Sequence, residues 1–102
     1  MDLKSKKVLV FGAGKSGIGA ADLLGSVGAQ PVIYDGNADL DKEAVLHKTN
    51  GRYQPEIWAG DFPEGELDSL DLVVLSPGVP TDLPLVKKFY EKGLPVWSEV
   101  EL

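Results

Sequence analysis

The stretch Gly12-Ala13-Gly14-Lys15-Ser16-Gly17 constrains this chain more than any other. It follows an apolar run, Val8-Leu9-Val10-Phe11, and opens a helical pattern. The expected local structure is a strand, a tight glycine turn and a helix N-terminus. The first glycine permits the turn, the second lets a ligand approach bare backbone, and the third lets helix and strand pack closely. A helix start leaves unpaired N–H groups and a positive dipole end, which together suit a phosphate. The letters Gly14-Lys15-Ser16 also mimic the end of an ATP-binding P-loop, which needs a glycine five positions before Gly14. That position holds Leu9, inside the apolar run, so the P-loop is excluded and the dinucleotide-type turn stands.

The remaining pattern extends this unit into an α/β domain. Lys6 to Phe11 reads as strand, Ser16 to Val27 as helix, and Pro31 to Tyr34 as strand ending at Asp35. The helix's expected buried stripe is Gly17, Ala20, Ala21, Leu24 and Val27, with Gly28 as its stop. Asp41 to Asn50 reads as a short helix capped by Asp41, and Glu56 to Gly60 as a short strand. Asp61 to Asp68, acidic and interrupted by Pro63 and Gly65, reads as loop. Leu70 to Leu75 is a second strong strand that stops at Ser76-Pro77-Gly78-Val79-Pro80. Asp82 to Lys92 reads as helix with Leu85, Val86, Phe89 and Tyr90 inward, and Pro95-Val96-Trp97 as strand. The fold expected is a Rossmann-like open parallel sheet of about five strands with helices on both faces.

Three elements then converge on the C-terminal rim of the sheet, where ligands of open α/β folds bind. They are the glycine turn, the segment Asp35-Gly36-Asn37, and the turn Ser76-Pro77-Gly78. Asp35 lies 21 positions past Gly14, the spacing at which such folds present a carboxylate to a ribose. An aspartate that merely closes its own turn fits the same position. No nucleophile–base pair is evident, and the single histidine, His47, has no cysteine to join it as a metal ligand. The reading from residues alone is a binding module for a nucleotide-type diphosphate, without catalytic residues and without a metal site.

Bulk properties narrow the partners. A net charge of −6 argues against nonspecific nucleic-acid binding, which draws on Lys and Arg. A small anion held directly at a helix N-terminus is unaffected, because distant surface charges are screened beyond about 8 Å. No apolar run reaches the ~20 residues of a membrane span, and the N-terminus is not a signal peptide, so a cytoplasmic protein is expected. Ser98-Glu99-Val100-Glu101 fits a capping box that announces a new helix just before Leu102. The expected organisation is a nucleotide-binding domain over residues 1–97, with 98–102 starting the connection to a missing central domain.

Taken together, Val8 to Gly17, Asp35 after the second strand, and Leu75-Ser76-Pro77-Gly78-Val79-Pro80 resemble the N-terminal domain of the Mur ligases. Trp97-Ser98-Glu99-Val100-Glu101-Leu102 is similar to the point where that domain hands over to the next. The resemblance covers essentially the whole chain. It implies an ATP-dependent, amide-forming acid–D-amino-acid ligase of peptidoglycan synthesis, adding D-glutamate to UDP-N-acetylmuramoyl-L-alanine. This domain would hold the UDP part and need no cofactor of its own; ATP and Mg2+ belong to the central domain, and a third domain receives the amino acid. The partners implied are the UDP-sugar substrate and the chain's own central and C-terminal domains. Carried over, Lys15 and Ser16 would give backbone or hydroxyl contacts to the diphosphate, Gly78 would contact it from the Ser-Pro-Gly turn, and Asp35, Gly36 and Asn37 would sit by the uridine, with Gly14, Gly17, Ser76 and Pro77 also among the UDP-binding residues. Relatives often place hydroxyl and basic side chains after that aspartate, and Gly36 and Asn37 depart from this. The rival readings are an NAD-binding domain of a dehydrogenase and a regulatory nucleotide-sensing module. The two prolines of Ser76–Pro80 disfavour the dehydrogenase, because they crowd the strand end where a nicotinamide ribose passes.

Overall fold

A computed structural model describes residues 3–98. Five strands form one all-parallel sheet: β1 (Lys7–Phe11), β2 (Gln30–Asp35), β3 (Glu56–Ala59), β4 (Leu72–Leu75) and β5 (Val96–Ser98). Helices α1 (Lys15–Ser26), α2 (Lys42–Lys48) and α3 (Pro84–Glu91) connect them. The strand order is β3-β2-β1-β4-β5. The chain therefore builds outward from β1 in one direction, returns, and builds outward in the other. The gap between the ends of β1 and β4 is the topological switch point, where the connections leave to opposite faces and open a crevice.

Alternation along the strands sorts the apolar residues onto two faces. Val8, Val10, Ile33, Leu72 and Val74 meet Ala20, Ala21 and Leu24 of α1 and Val45 of α2. Leu9, Phe11, Val32, Tyr34, Val73 and Leu75 meet Val86 and Phe89 of α3. Both faces of β1 and β4 are covered, which is why Val8–Phe11 and Leu72–Leu75 are apolar throughout rather than alternating. On the α3 face, Phe11, Tyr34, Phe62 and Phe89 contact one another edge-to-face with ring centroids 5.0–6.5 Å apart. That geometry matches the quadrupoles of the rings and locks the segment after β3 to α3.

The expected architecture is the one found, with local corrections. Residues Glu64–Ser69, read as loop, form a 3-10 helix. Leu67 and Leu70, three apart, are both buried beneath it, the spacing a 3.0-residue turn aligns. Salt bridges tie this helix to α3: Lys88 to Glu64, and Lys92 to Asp68 at 2.9 Å. Val27 was expected inward but is 47% exposed, because it is the C-cap of α1, where the chain turns away at Gly28 (φ 85°). Tyr90, also expected inward, is 57% exposed: α3 seats Val86 and Phe89, and the next residue is rotated about 100° off that line. β4 starts at Leu72, not Leu70, since Leu70 caps the 3-10 helix. The helix start expected at Ser98–Glu101 lies, beyond Ser98, outside the described residues. No helix among the described residues is long and apolar enough to cross a membrane.

Candidate functional site

The first turn is built as its glycines require. Gly12 adopts φ 115°, a region closed to L side chains, and donates its N–H to the Tyr34 carbonyl at 2.7 Å. Gly17 faces the Gly12 carbonyl so closely that a Cβ there would lie 1.8 Å from the oxygen. The start of α1 is thus pressed onto the end of β1, and only a bare backbone fits.

That helix begins open. Its first helical bond runs from the Ile18 N–H to the Gly14 carbonyl at 3.0 Å, so the amides of Lys15, Ser16 and Gly17 precede the ladder. No side chain caps α1, and its first turn carries no acidic residue. Helix α2 is the contrast within the same chain. Asp41 accepts from the Ala44 N–H at 3.1 Å, and Glu43 sits in its first turn. The positive end of α2 is already neutralised; that of α1 is not. Gly14, Lys15 and Ser16 are exposed, while Gly17 is buried against the strand.

Asp35 welds the second element to the first. Its Oδ2 accepts from the Ala13 N–H at 3.1 Å and its Oδ1 from the Asn37 N–H at 2.9 Å. The spacing from the glycines pointed to this carboxylate; its bond to Ala13 was not legible, because nothing local pairs residues 22 apart. The turn-closing role is therefore real. Each oxygen keeps acceptor capacity beyond the one bond it makes. Gly36 and Asn37 are exposed on the rim.

The third element arrives from β4. The Ser76 N–H donates to the Phe11 carbonyl at 3.1 Å, and the Val79 N–H closes the turn onto the Ser76 carbonyl at 3.0 Å. Ser76 lies directly against the glycine turn: a Cβ on Gly12 would meet its Oγ at 3.0 Å. Pro77 and Gly78 face solvent. All ten rim residues named from the sequence thus fall on the ends of β1, β2 and β4 and the start of α1.

The amides opening α1 are hydrogen-bond donors of the kind that suit an anion. No charged residue among the described residues is fully buried. The phenols of Tyr34 and Tyr53 are held above their usual range, chiefly by burial, and the Glu64 carboxyl is held below its usual range by the Lys88 hydrogen bond. Tyr34 donates to the Gly60 carbonyl on the α3 side of the sheet, away from the start of α1. The described residues also do not fit ATP with Mg2+. Leu9 sits fully buried in β1 where a P-loop needs glycine, and no group of three potential metal-binding side chains occurs among them. A separate open groove of about 630 Å3 lies between α3 and the segment after β3, floored by Tyr34 and Phe62.

The family model described as Mur ligase MurD-like, N-terminal domain, matches residues 6–98. This chain belongs to the MurD-like N-terminal domains of the Mur ligases. Among relatives of the MurD-like domain, the UDP-N-acetylmuramoylalanine–D-glutamate ligase of Lachnospira eligens is 53% identical over 102 residues. The ligase of the same name from Lachnoclostridium phytofermentans is 47% identical over 102 residues. Both alignments cover 100% of this chain and 22% of the relative, so the chain spans about a fifth of the length of the curated relatives it matches. Among solved structures, shikimate dehydrogenase from Aquifex aeolicus superposes with a TM-score of 0.56 at 20% identity. That match covers 97% of this chain and 44% of the dehydrogenase, and it shows the shared Rossmann-like fold alone.

Proposed function

We propose that this MurD-like domain binds the UDP moiety of UDP-N-acetylmuramoyl-L-alanine for an ATP-dependent ligase of peptidoglycan synthesis that adds D-glutamate. The observation that carries the reading is the open N-terminus of α1 facing the Ser76 turn across the switch point, in a chain of this family. The amides of Lys15, Ser16 and Gly17 and the backbone of Gly14 take the diphosphate. Ser76, Pro77 and Gly78 close over it from β4. Asp35, Gly36 and Asn37 take the uridine side, with Asp35 also holding the glycine turn in shape through Ala13.

The domain's contribution to the reaction is placement. It anchors the far end of the substrate so that the alanyl carboxylate reaches the central domain, where ATP and Mg2+ are expected. Holding reactants in geometry can supply up to about 7–11 kcal/mol of a barrier. An anion at a helix N-terminus contributes only about 0.3–2 kcal/mol by itself. The isolated domain should therefore bind UDP weakly, with Kd near the millimolar range, where binding amounts to about −4 kcal/mol. It should form no amide bond without the central and C-terminal domains, its proposed partners in the cytoplasm. Parallel titrations with UDP and NADH test the reading: UDP is expected to bind more tightly, and preferential NADH binding would favour a dehydrogenase-type domain instead.

A further inference from the structure

The two asparagines of the chain sit in turns of the same design. The Asn37 N–H donates to Asp35 Oδ1 at 2.9 Å, and the Asn37 Oδ1 accepts from the Asp39 N–H at 3.0 Å. The Asn50 N–H donates to Asp22 Oδ1 at 3.1 Å, and the Asn50 Oδ1 accepts from the Arg52 N–H at 3.0 Å. Both asparagines are exposed. A bond from Oδ1 to the N–H two residues on folds the side-chain amide back over the peptide that follows it. That brings the amide carbon towards the next backbone nitrogen, and the next residue is where the two turns differ. After Asn37 comes Ala38, seated against Gly60: a Cβ built on Gly60 would lie 3.1 Å from the Ala38 Cβ. After Asn50 comes Gly51, exposed, at φ 75°, with nothing within 4 Å of where a Cβ would stand. Its N–H donates no hydrogen bond among the described residues, and a glycine backbone moves readily between conformations.

We infer that Asn50 is a site of spontaneous deamidation, an ageing modification that loosens the clamp between α1 and the segment after α2. The Gly51 nitrogen passes its proton to water and bonds to Asn50 Cγ. The Cγ–Nδ2 bond breaks, and Nδ2 takes a proton from water and leaves as ammonia. Water then opens the resulting five-membered imide. Breaking the new bond to Cγ yields aspartate. Breaking the bond from the same nitrogen to the main-chain carbonyl yields isoaspartate, with one more carbon in the main chain. Nothing is oxidised or reduced. Either product is a carboxylate, ionised at neutral pH, placed where the Asn50 N–H approaches Asp22. Asp22 Oδ1 also accepts from the Tyr53 hydroxyl at 2.8 Å, and the Tyr53 ring lies against Gly25, where a Cβ would stand 2.7 Å from it. A second negative charge beside Asp22, and in isoaspartate a longer chain before Tyr53, pull this clamp apart. Asp35-Gly36 offers a similar pair of groups, but the Ala13 and Asn37 N–H groups hold both of its carboxylate oxygens.

The test is storage of the 102-residue chain at mildly alkaline pH, with samples read by peptide-mapping mass spectrometry, isoaspartate labelling and thermal unfolding. Asn50 is expected to convert to aspartate and isoaspartate while Asn37 stays intact. The converted chain should melt about 4–8 °C lower, the loss of one hydrogen bond in a domain of this size. Asn50→Gln keeps an amide but needs a larger ring for the same attack, so it should hold its melting temperature through the same storage. An Asn50 that stays intact, or converts no faster than Asn37, overturns the inference. Conversion without any fall in melting temperature, or an equal fall in the Asn50→Gln chain, overturns the loosening of the clamp and leaves the modification standing.

Discussion

Two glycines on α1, two residues apart, should respond to alanine with opposite signs. At Gly17 an added Cβ would lie 1.8 Å from the Gly12 carbonyl oxygen and 2.9 Å from its carbon, both backbone atoms. Contacts under 3.0 Å are not tolerated, so α1 and the glycine turn must part by at least about 1.2 Å. Neither side is a flexible side chain that can swing away. Overpacking of this kind costs about 1–3 kcal/mol, and the backbone-to-backbone clash places it at the top of that range. Alanine's helix preference over glycine returns at most about 1 kcal/mol, which leaves a net loss of about 2–3 kcal/mol. For a domain of this size, that lowers Tm by roughly 10–20 °C. Gly19 is an exposed helix residue with nothing within 4 Å of its Cβ position. There the helix term acts alone, and Gly19→Ala should gain about 0.5–1 kcal/mol. Urea unfolding of both variants beside the parent provides the comparison. If Gly17→Ala were as stable as the parent, α1 would not be clamped to β1, and the geometry proposed for the anion site would be wrong.

Further outcomes follow from individual contacts. Asp41→Ala removes the side-chain cap on the Ala44 N–H and should destabilise by about 0.5–2 kcal/mol in urea unfolding, with UDP binding unchanged. The phenol of Tyr53, held high by burial and its 2.8 Å bond to Asp22, keeps its proton in the folded state after the unfolded chain begins to lose it. Stability from this group is complete below the unfolded value near pH ~10 and is lost as pH rises toward the folded one. Tyr53→Phe should therefore flatten the alkaline fall in stability. Tyr34, raised by burial and by Asp61 and Asp35, leaves a residual slope.

Much of this molecule was legible because its strongest signals are local. Val8 to Phe11 and Leu72 to Leu75 are apolar on both faces, and central parallel strands are covered on both faces. The spacing of Gly12 and Gly17 records a backbone contact that tolerates no side chain, so it survives as letters. What escaped depends on the rest of the fold. The Glu64–Ser69 helix is too acidic and too short to announce itself; Leu67 and Leu70 reveal it only once the α3 face lies beneath them. Phe89 and Tyr90 are adjacent aromatic residues, and which one points inward is decided by how α3 docks. The same holds at the site. The Ser76 turn was visible as chain-stiffening residues, but its packing against Gly12 and Gly17 is set by the pairing of β1 with β4.

In the function proposed above, the amides opening α1 grip the diphosphate of a uridine nucleotide. Amide chemical-shift mapping during UDP titration tests it most directly. Gly14, Lys15, Ser16, Gly17, Ser76 and Gly78 are expected to shift together on one binding curve, with Asp35, Gly36 and Asn37 moving for the uridine. Shifts confined to the groove beside Tyr34 and Phe62, with the α1 amides unmoved, would contradict it.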